Sequence, residues 1–273
     1  MTMQLHLQQV PAANGRLWIR HGFRVFQRQP MAFLGLMGLA LLASLLLTAL
    51  PVLGPLLGLM AIPLSSLGFM LATHLVLQKK RPTPGVFLAP LKLTPERRNR
   101  QLVLSASFAL LALLVILGAG AIDGEATRAV LELMAKDGSP DEFAKVAGDP
   151  RILWGAALRL GGLALLSVPY WHAPALVHWG GQGVGQALFS STLALWRNKA
   201  AFALNGLLWV AIFMALSGVI TLVFTALGLM QLAPFFMLVA AMMVWAVFYA
   251  SLYFSFVDCF MFGAPQNLLD EQS

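Results

Sequence analysis

The sequence predicts an all-α fold: a polytopic membrane bundle of six transmembrane helices, with two cytoplasmic interfacial amphipathic helices and a short helical periplasmic lid. Three observations predict it. Apolar residues make up 59% of the 273 positions and charged residues 11%, far from the roughly 25% charged of a soluble domain. Six apolar runs occur, at Met31–Leu50, Leu53–Leu77, Leu102–Ile122, Ile152–Val177, Ala201–Met230 and Ala233–Phe262. Each supplies the roughly 20 residues that a hydrocarbon core about 30 Å thick requires at helical rise. The runs are continuous rather than alternating, so they cross lipid as helices and not as barrel strands.

The chain divides into a cytoplasmic tail with an interfacial helix (1–30), a membrane domain (31–262, with an outer loop at 123–151) and a second cytoplasmic tail (263–273). Met1–Gly15 is polar and the first apolar run lies beyond the usual signal-peptide length, so no cleavable signal is expected.

Charge bias orients the bundle. Arg16, Arg20, Arg24, Arg28, Lys79, Lys80, Arg81, Lys92, Arg97, Arg98, Arg100, Arg197 and Lys199, thirteen of the 18 basic residues, fall on one side of the spans. The loop after the third span holds Arg128, Lys136, Lys145 and Arg151 beside seven acids. The positive-inside rule then places both termini in the cytoplasm, in keeping with six spans. The net charge of +7 suits anionic lipid head groups, at about 1 kcal/mol per basic residue near the surface. Nucleic acid is the poorer partner, because no soluble module carries the charge.

Arg16, Arg20, Arg24 and Arg28 recur every four residues and stripe one face of a helix over Gly15–Gln29. Leu17, Trp18, Phe23 and Phe26 give that helix apolar area for the acyl boundary, with the guanidiniums at the lipid phosphates. A second interfacial helix is expected near Gly183–Arg197. Leu195–Phe202 echoes Phe26–Phe33, with an arginine and an amide before a phenylalanine, and each precedes a hairpin of two spans. The echo hints at a duplicated unit of the sort internal repeats make in transporters.

In the outer loop, Ala126–Lys136 shows helical spacing, and Ser139-Pro140-Asp141-Glu142 has the form of a capping box. Two short helices are expected there as a lid. Pro63, Pro169 and Pro174 are expected to kink spans two and four. The glycines of Gly180–Gly185 lack the strand and the Lys-Ser/Thr pair of a phosphate loop, and suit a hinge better.

Groups able to carry chemistry are few. Arg159, inside span four, is a candidate for lining a cavity or binding an anion, or else for snorkelling or pairing with an acid of the lid. A ligand-binding cavity built from Arg159, Tyr170 and Asn205 would favour a carrier. His74, His172, His178 and Asp258 lie near the cytoplasmic span ends without metal-ligand spacing. The lone Cys259 offers neither a disulfide nor a cysteine metal site. No catalytic constellation, metal site or cofactor is expected.

Tyr170-Trp171-His172-Ala173-Pro174-Ala175-Leu176-Val177, then Gln186–Ser191 and Trp196–Phe202, with Gly22–Phe26, Pro30 and the Pro51–Pro55 hairpin, resemble an uncharacterised family of proteobacterial six-span inner-membrane proteins. That family is distantly similar to the membrane domain associated with glycerophosphodiester phosphodiesterases. The resemblance implies the six-span fold and the inner membrane, and brings no activity. His172 stands where the family pattern has phenylalanine, so no histidine is implied there.

Three functional classes follow. The first is a non-enzymatic assembly, scaffold or regulatory factor for envelope components, with a membrane-protein partner. The second is a carrier or exporter of lipid-like or small hydrophobic molecules. The third is a membrane enzyme or cofactor protein using the histidines and Asp258.

Overall fold

In a computed structural model, residues 6–51, 53–135, 146 and 148–260 are described. Nine α-helices occur among them: α1 (Asn14–Arg28), α2 (Pro30–Thr48), α3 (Gly54–Leu77), α4 (Pro95–Ala135), α5 (Pro150–Tyr170), α6 (Ala173–Gly180), α7 (Val184–Arg197), α8 (Lys199–Ala226) and α9 (Ala233–Phe260). No strand is present among the described residues. Six stretches are long and apolar enough to cross a membrane: α2, α3, α4, α5 with α6, α8 and α9.

Helices α3 and α9 sit at the centre. α3 packs on α2, α4, α6 and α9, and α9 packs on α1, α2, α3 and α8. α5 and α8 are peripheral, with most of their surface left for lipid. The hairpins α2–α3 and α8–α9 are each preceded by a helix and a single-residue break, α1 with Gln29 and α7 with Asn198. The order of elements in the two units is therefore the same.

Three features depart from sequence expectation. First, α4 runs on through Asp123 and Gly124 to Ala135. At helical rise its 41 residues span about 60 Å. The expected first lid helix is the end of α4, because nothing there stops a helix and the Asp123 carboxylate is satisfied by Arg159. The second expected lid helix lies outside the described residues.

Second, span four is broken. α5 ends at Tyr170 and α6 begins at Ala173. Pro174 has no N–H to give Tyr170 and disfavours helix at the residue before it. The Ser191 hydroxyl of α7 repairs the gap, donating to the Val168 carbonyl (3.1 Å) and accepting from the His172 backbone N–H (3.1 Å). Pro63, by contrast, stays inside a continuous α3. α6 stops at Gly181, whose φ of +63° suits glycine. Arg97 and Arg100 donate to the carbonyls of His178 and Gly181 at that end.

Third, the aromatic residues of α1 face protein rather than lipid. Trp18 and Phe26 are buried, because α1 packs against α8 and α9. Gly15 and Gly22 permit the approach, since a side chain at either would collide with the backbone of Ala201 or Val247. α7 differs: Phe189 and Trp196 on it are exposed.

Candidate functional site

The buried end of α9 is built around Asp258. Its carboxylate accepts from the Asn14 amide (2.9 Å) and the Trp18 indole N–H (2.7 Å), so it fastens α1 instead of meeting a loop lysine or arginine. Residues 6–10 form a strap beside it. The N–H groups of His6 and Gln8 donate to the carbonyls of Phe260 and Cys259. Asn198 accepts from the Val10 N–H (2.8 Å) and donates to the carbonyls of Gln8 and Ala194 (both 3.0 Å).

The residues singled out in the sequence occupy separate places. Arg159 makes an ion pair with Asp123 (3.0 Å), and Gly155 leaves the room in which that carboxylate sits. The Asp123 side chain is 2% exposed and that of Arg159 is 35% exposed. The pair ties α4 to α5, one of the uses foreseen for Arg159. The Tyr170 hydroxyl shares a hydrogen bond with Ser107 (2.8 Å). The Asn205 amide donates to the Gly15 carbonyl (2.9 Å), helping to seat α1 on α8. On α1, Arg16, Arg20 and Arg28 are exposed and Arg24 is half-buried.

The histidines are also dispersed. His74 Nδ1 lies 2.9 Å from the Tyr253 hydroxyl and its Nε2 lies 2.8 Å from Gln78 Nε2. His172 is fully buried among Phe202, Phe256 and Phe260, with Nε2 3.0 Å from the Ser255 hydroxyl. His178 packs on Trp179. Among the described residues, no three His, Cys, Asp or Glu side chains converge as metal ligands.

Two chambers open in the middle of the bundle. The larger, of ≈ 360 Å³, lies between α2, α3 and α9 and is lined by Met37, Leu41, Ser44, Ser65, Phe69 and Tyr249 among others. Leu41, Ile62, Leu238 and Trp245 of its wall are exposed on the bundle surface, so its mouth faces lipid. The smaller, of ≈ 160 Å³, lies between α3, α4, α5 and α9 and includes Pro63, Ser66, Phe108, Tyr170 and Trp171. Ile62 and Tyr249 line both. Of Arg159, Tyr170 and Asn205, only Tyr170 lines either chamber.

Reading the sequence missed Tyr249, Ser44, Ser65 and Ser66. Their signal was a hydroxyl inside an apolar run. Among the described residues no charged side chain lines either chamber, so both suit neutral, largely apolar guests.

The chain is 29% identical over 263 residues to a "probable inner membrane protein" of Burkholderia thailandensis, covering 96% of each chain. With six membrane-length helices, that likeness supports a multi-pass protein of the inner membrane. No family model and no solved structure matches the chain, so the link to the membrane domain of glycerophosphodiester phosphodiesterases gains no support.

Proposed function

We propose that this protein binds lipid-like or small hydrophobic molecules within the inner membrane, as a carrier or exporter. The larger chamber carries the reading: ≈ 360 Å³ of apolar space with a mouth among lipid-facing side chains. Its size falls in the range of small-molecule sites, about 300–1,000 Å³. The strong basic bias of one side of the spans supports cytoplasmic termini. It also supports contact of Arg16, Arg20, Arg24 and Arg28 with anionic head groups.

The other reading, a non-enzymatic assembly, scaffold or regulatory factor, is favoured by α1. Asp258 and Asn205 hold this helix in place with arginines exposed, a fixed basic surface for a membrane-protein partner.

Native mass spectrometry of the full chain, extracted gently from its own membrane, tests the carrier reading. One lipid or small apolar molecule retained at unit stoichiometry is expected, and Ala241→Trp, which fills the larger chamber, is expected to abolish it. A stoichiometric protein partner with no retained small molecule would replace the carrier with the assembly reading.

A further inference from the structure

Two sets of hydroxyl groups in this bundle contrast, apart from that of Ser105, which is buried without a hydrogen-bond partner among the described residues and away from both chambers. Those of Thr73, Ser167, Thr192, Ser251 and Ser255 fold back onto carbonyls of their own helices, the usual solution in an apolar helix. Those of Ser44, Ser65, Ser66 and Tyr249 make no hydrogen bond to any described residue, and all four line the chambers. Their oxygens are not sealed in protein. A serine hydroxyl can turn back to its helix at little cost. A tyrosine cannot, because its oxygen stands too far from its own backbone. Tyr249 is stacked on Phe69 with ring centroids 5.1 Å apart, which fixes its ring at the junction of the two chambers. It lies in the middle third of α9, at a depth where no water is at hand to satisfy it. An unpaired hydroxyl in such surroundings carries a free-energy cost that a guest with a polar atom removes.

The nature of the guest follows from what surrounds that hydroxyl. Among the described residues no charged side chain lines either chamber, so an ionised carboxylate or phosphate would enter unpaired and be rejected. A plain hydrocarbon would leave the hydroxyls unanswered. Resting on the carrier reading above, we propose that the two chambers bind an uncharged amphiphile of the fatty-alcohol or monoacylglycerol class. Its hydroxyl or carbonyl head sits against Tyr249, Ser65 and Ser66. Its tail occupies the larger chamber and leaves through the mouth at Leu41 and Leu238.

The test uses the full chain in phospholipid nanodiscs with three photoreactive probes of equal length: diazirine-tagged tetradecanol, tetradecane and tetradecanoate. Adducts are mapped to peptides by mass spectrometry. The alcohol is expected to label α3 and α9 about tenfold more than either other probe, the worth of one or two hydrogen bonds. The double variant Tyr249→Phe/Ser66→Ala is expected to bring the alcohol down to the level of the hydrocarbon and leave hydrocarbon labelling unchanged. Continued burial of Cys259 against a thiol reagent shows that the variant is folded. Equal labelling by alcohol and hydrocarbon, or no effect of the double variant, overturns the proposal and leaves the apolar cleft standing. Preferential labelling by the carboxylate overturns it as well. Failure of all three probes to label α3 and α9 above the lipid-facing helix α8 overturns both this proposal and the carrier reading.

Discussion

The two halves of α9 live in different surroundings. From Ala250 onward every residue but the half-buried Asp258 is buried, against α1, α3 and the strap. Before it, Phe235, Leu238 and Val239 are 62, 56 and 45% exposed, and Leu238 and Ala241 line an open chamber. The sealed half is the one that holds Ser251, Tyr253, Ser255 and Asp258, so greater apolarity does not explain its burial. Polar groups do. In the second half Asp258, Ser251 and Ser255 all have partners, whereas Tyr249, at the boundary, has none. One end of the helix is closed by paired polar groups, and the other lines an open chamber.

Substitutions sharpen that contrast in order of expected size. Cys259, buried and the sole cysteine, reports unfolding directly through its reaction with a thiol dye during heating. Trp18→Ala removes a buried indole and its hydrogen bond to Asp258, and is expected to cost about 3–5 kcal/mol. Asp258→Ala leaves Asn14 and Trp18 without their acceptor and is expected to cost about 2–3 kcal/mol. Asp258→Asn, which keeps an acceptor, is expected to lose less than half as much. A cost under 0.5 kcal/mol for Asp258→Ala would break the view of this half as a locked end.

Ser191→Ala tests the repaired break in span four. A loss of about 1–2 kcal/mol is expected, with faster amide exchange confined to Val168–His172. In the open half, Ala241→Trp is expected to leave the melting temperature unchanged while displacing bound lipid, because it fills space and breaks no contact in the sealed half.

The smallest effect is electrostatic and lies outside α9. Asp149 caps α5, accepting from the Arg151 backbone N–H at 2.8 Å. Hydrogen bonds from the Arg151 side chain, then from its backbone, hold the carboxyl below its ordinary pKa. A carboxylate depressed in the folded state stabilises it above the unfolded pKa, about 3.9. That contribution disappears as pH falls through the lower folded value. The protection of amides in the first turn of α5, corrected for the intrinsic exchange rate at each pH, is therefore expected to be flat from neutral pH down to about 5 and to fall below about 4.

Much of the fold was legible because a bilayer demands long apolar helices. The hairpins at Pro51–Pro55 and Gly228–Pro234, and the two helices that precede hairpins, were visible in proline, glycine and charge placement. The continuation of α4 was not, because Asp123 and Gly124 read as loop until the partner of Asp123, Arg159 of α5, is known. Burial of α1 was likewise hidden. An amphipathic stripe looks the same whether its apolar face meets lipid or protein, and only the fit of Gly15 and Gly22 against α8 and α9 decides. The chambers escaped notice because isolated serines and a tyrosine in apolar runs have no motif. Their meaning lies in which hydroxyls go unpaired.

The strap has a consequence for how the protein is made. Val10 and Gln8 reach Asn198 across 188 and 190 residues of chain, and Trp18 and Asn14 reach Asp258 across 240 and 244. Residues 8–18 thus wait for partners made about 190–240 residues later. Until α8 and α9 have inserted, α1 has no protein to cover Trp18 and Phe26, and its amphipathic form gives it a resting place on the bilayer surface. Closing the sealed end then has to follow insertion of α9, a long-range step slowed by the length of chain between its parts. Any truncation that stops short of Asp258 would leave α1 unclasped.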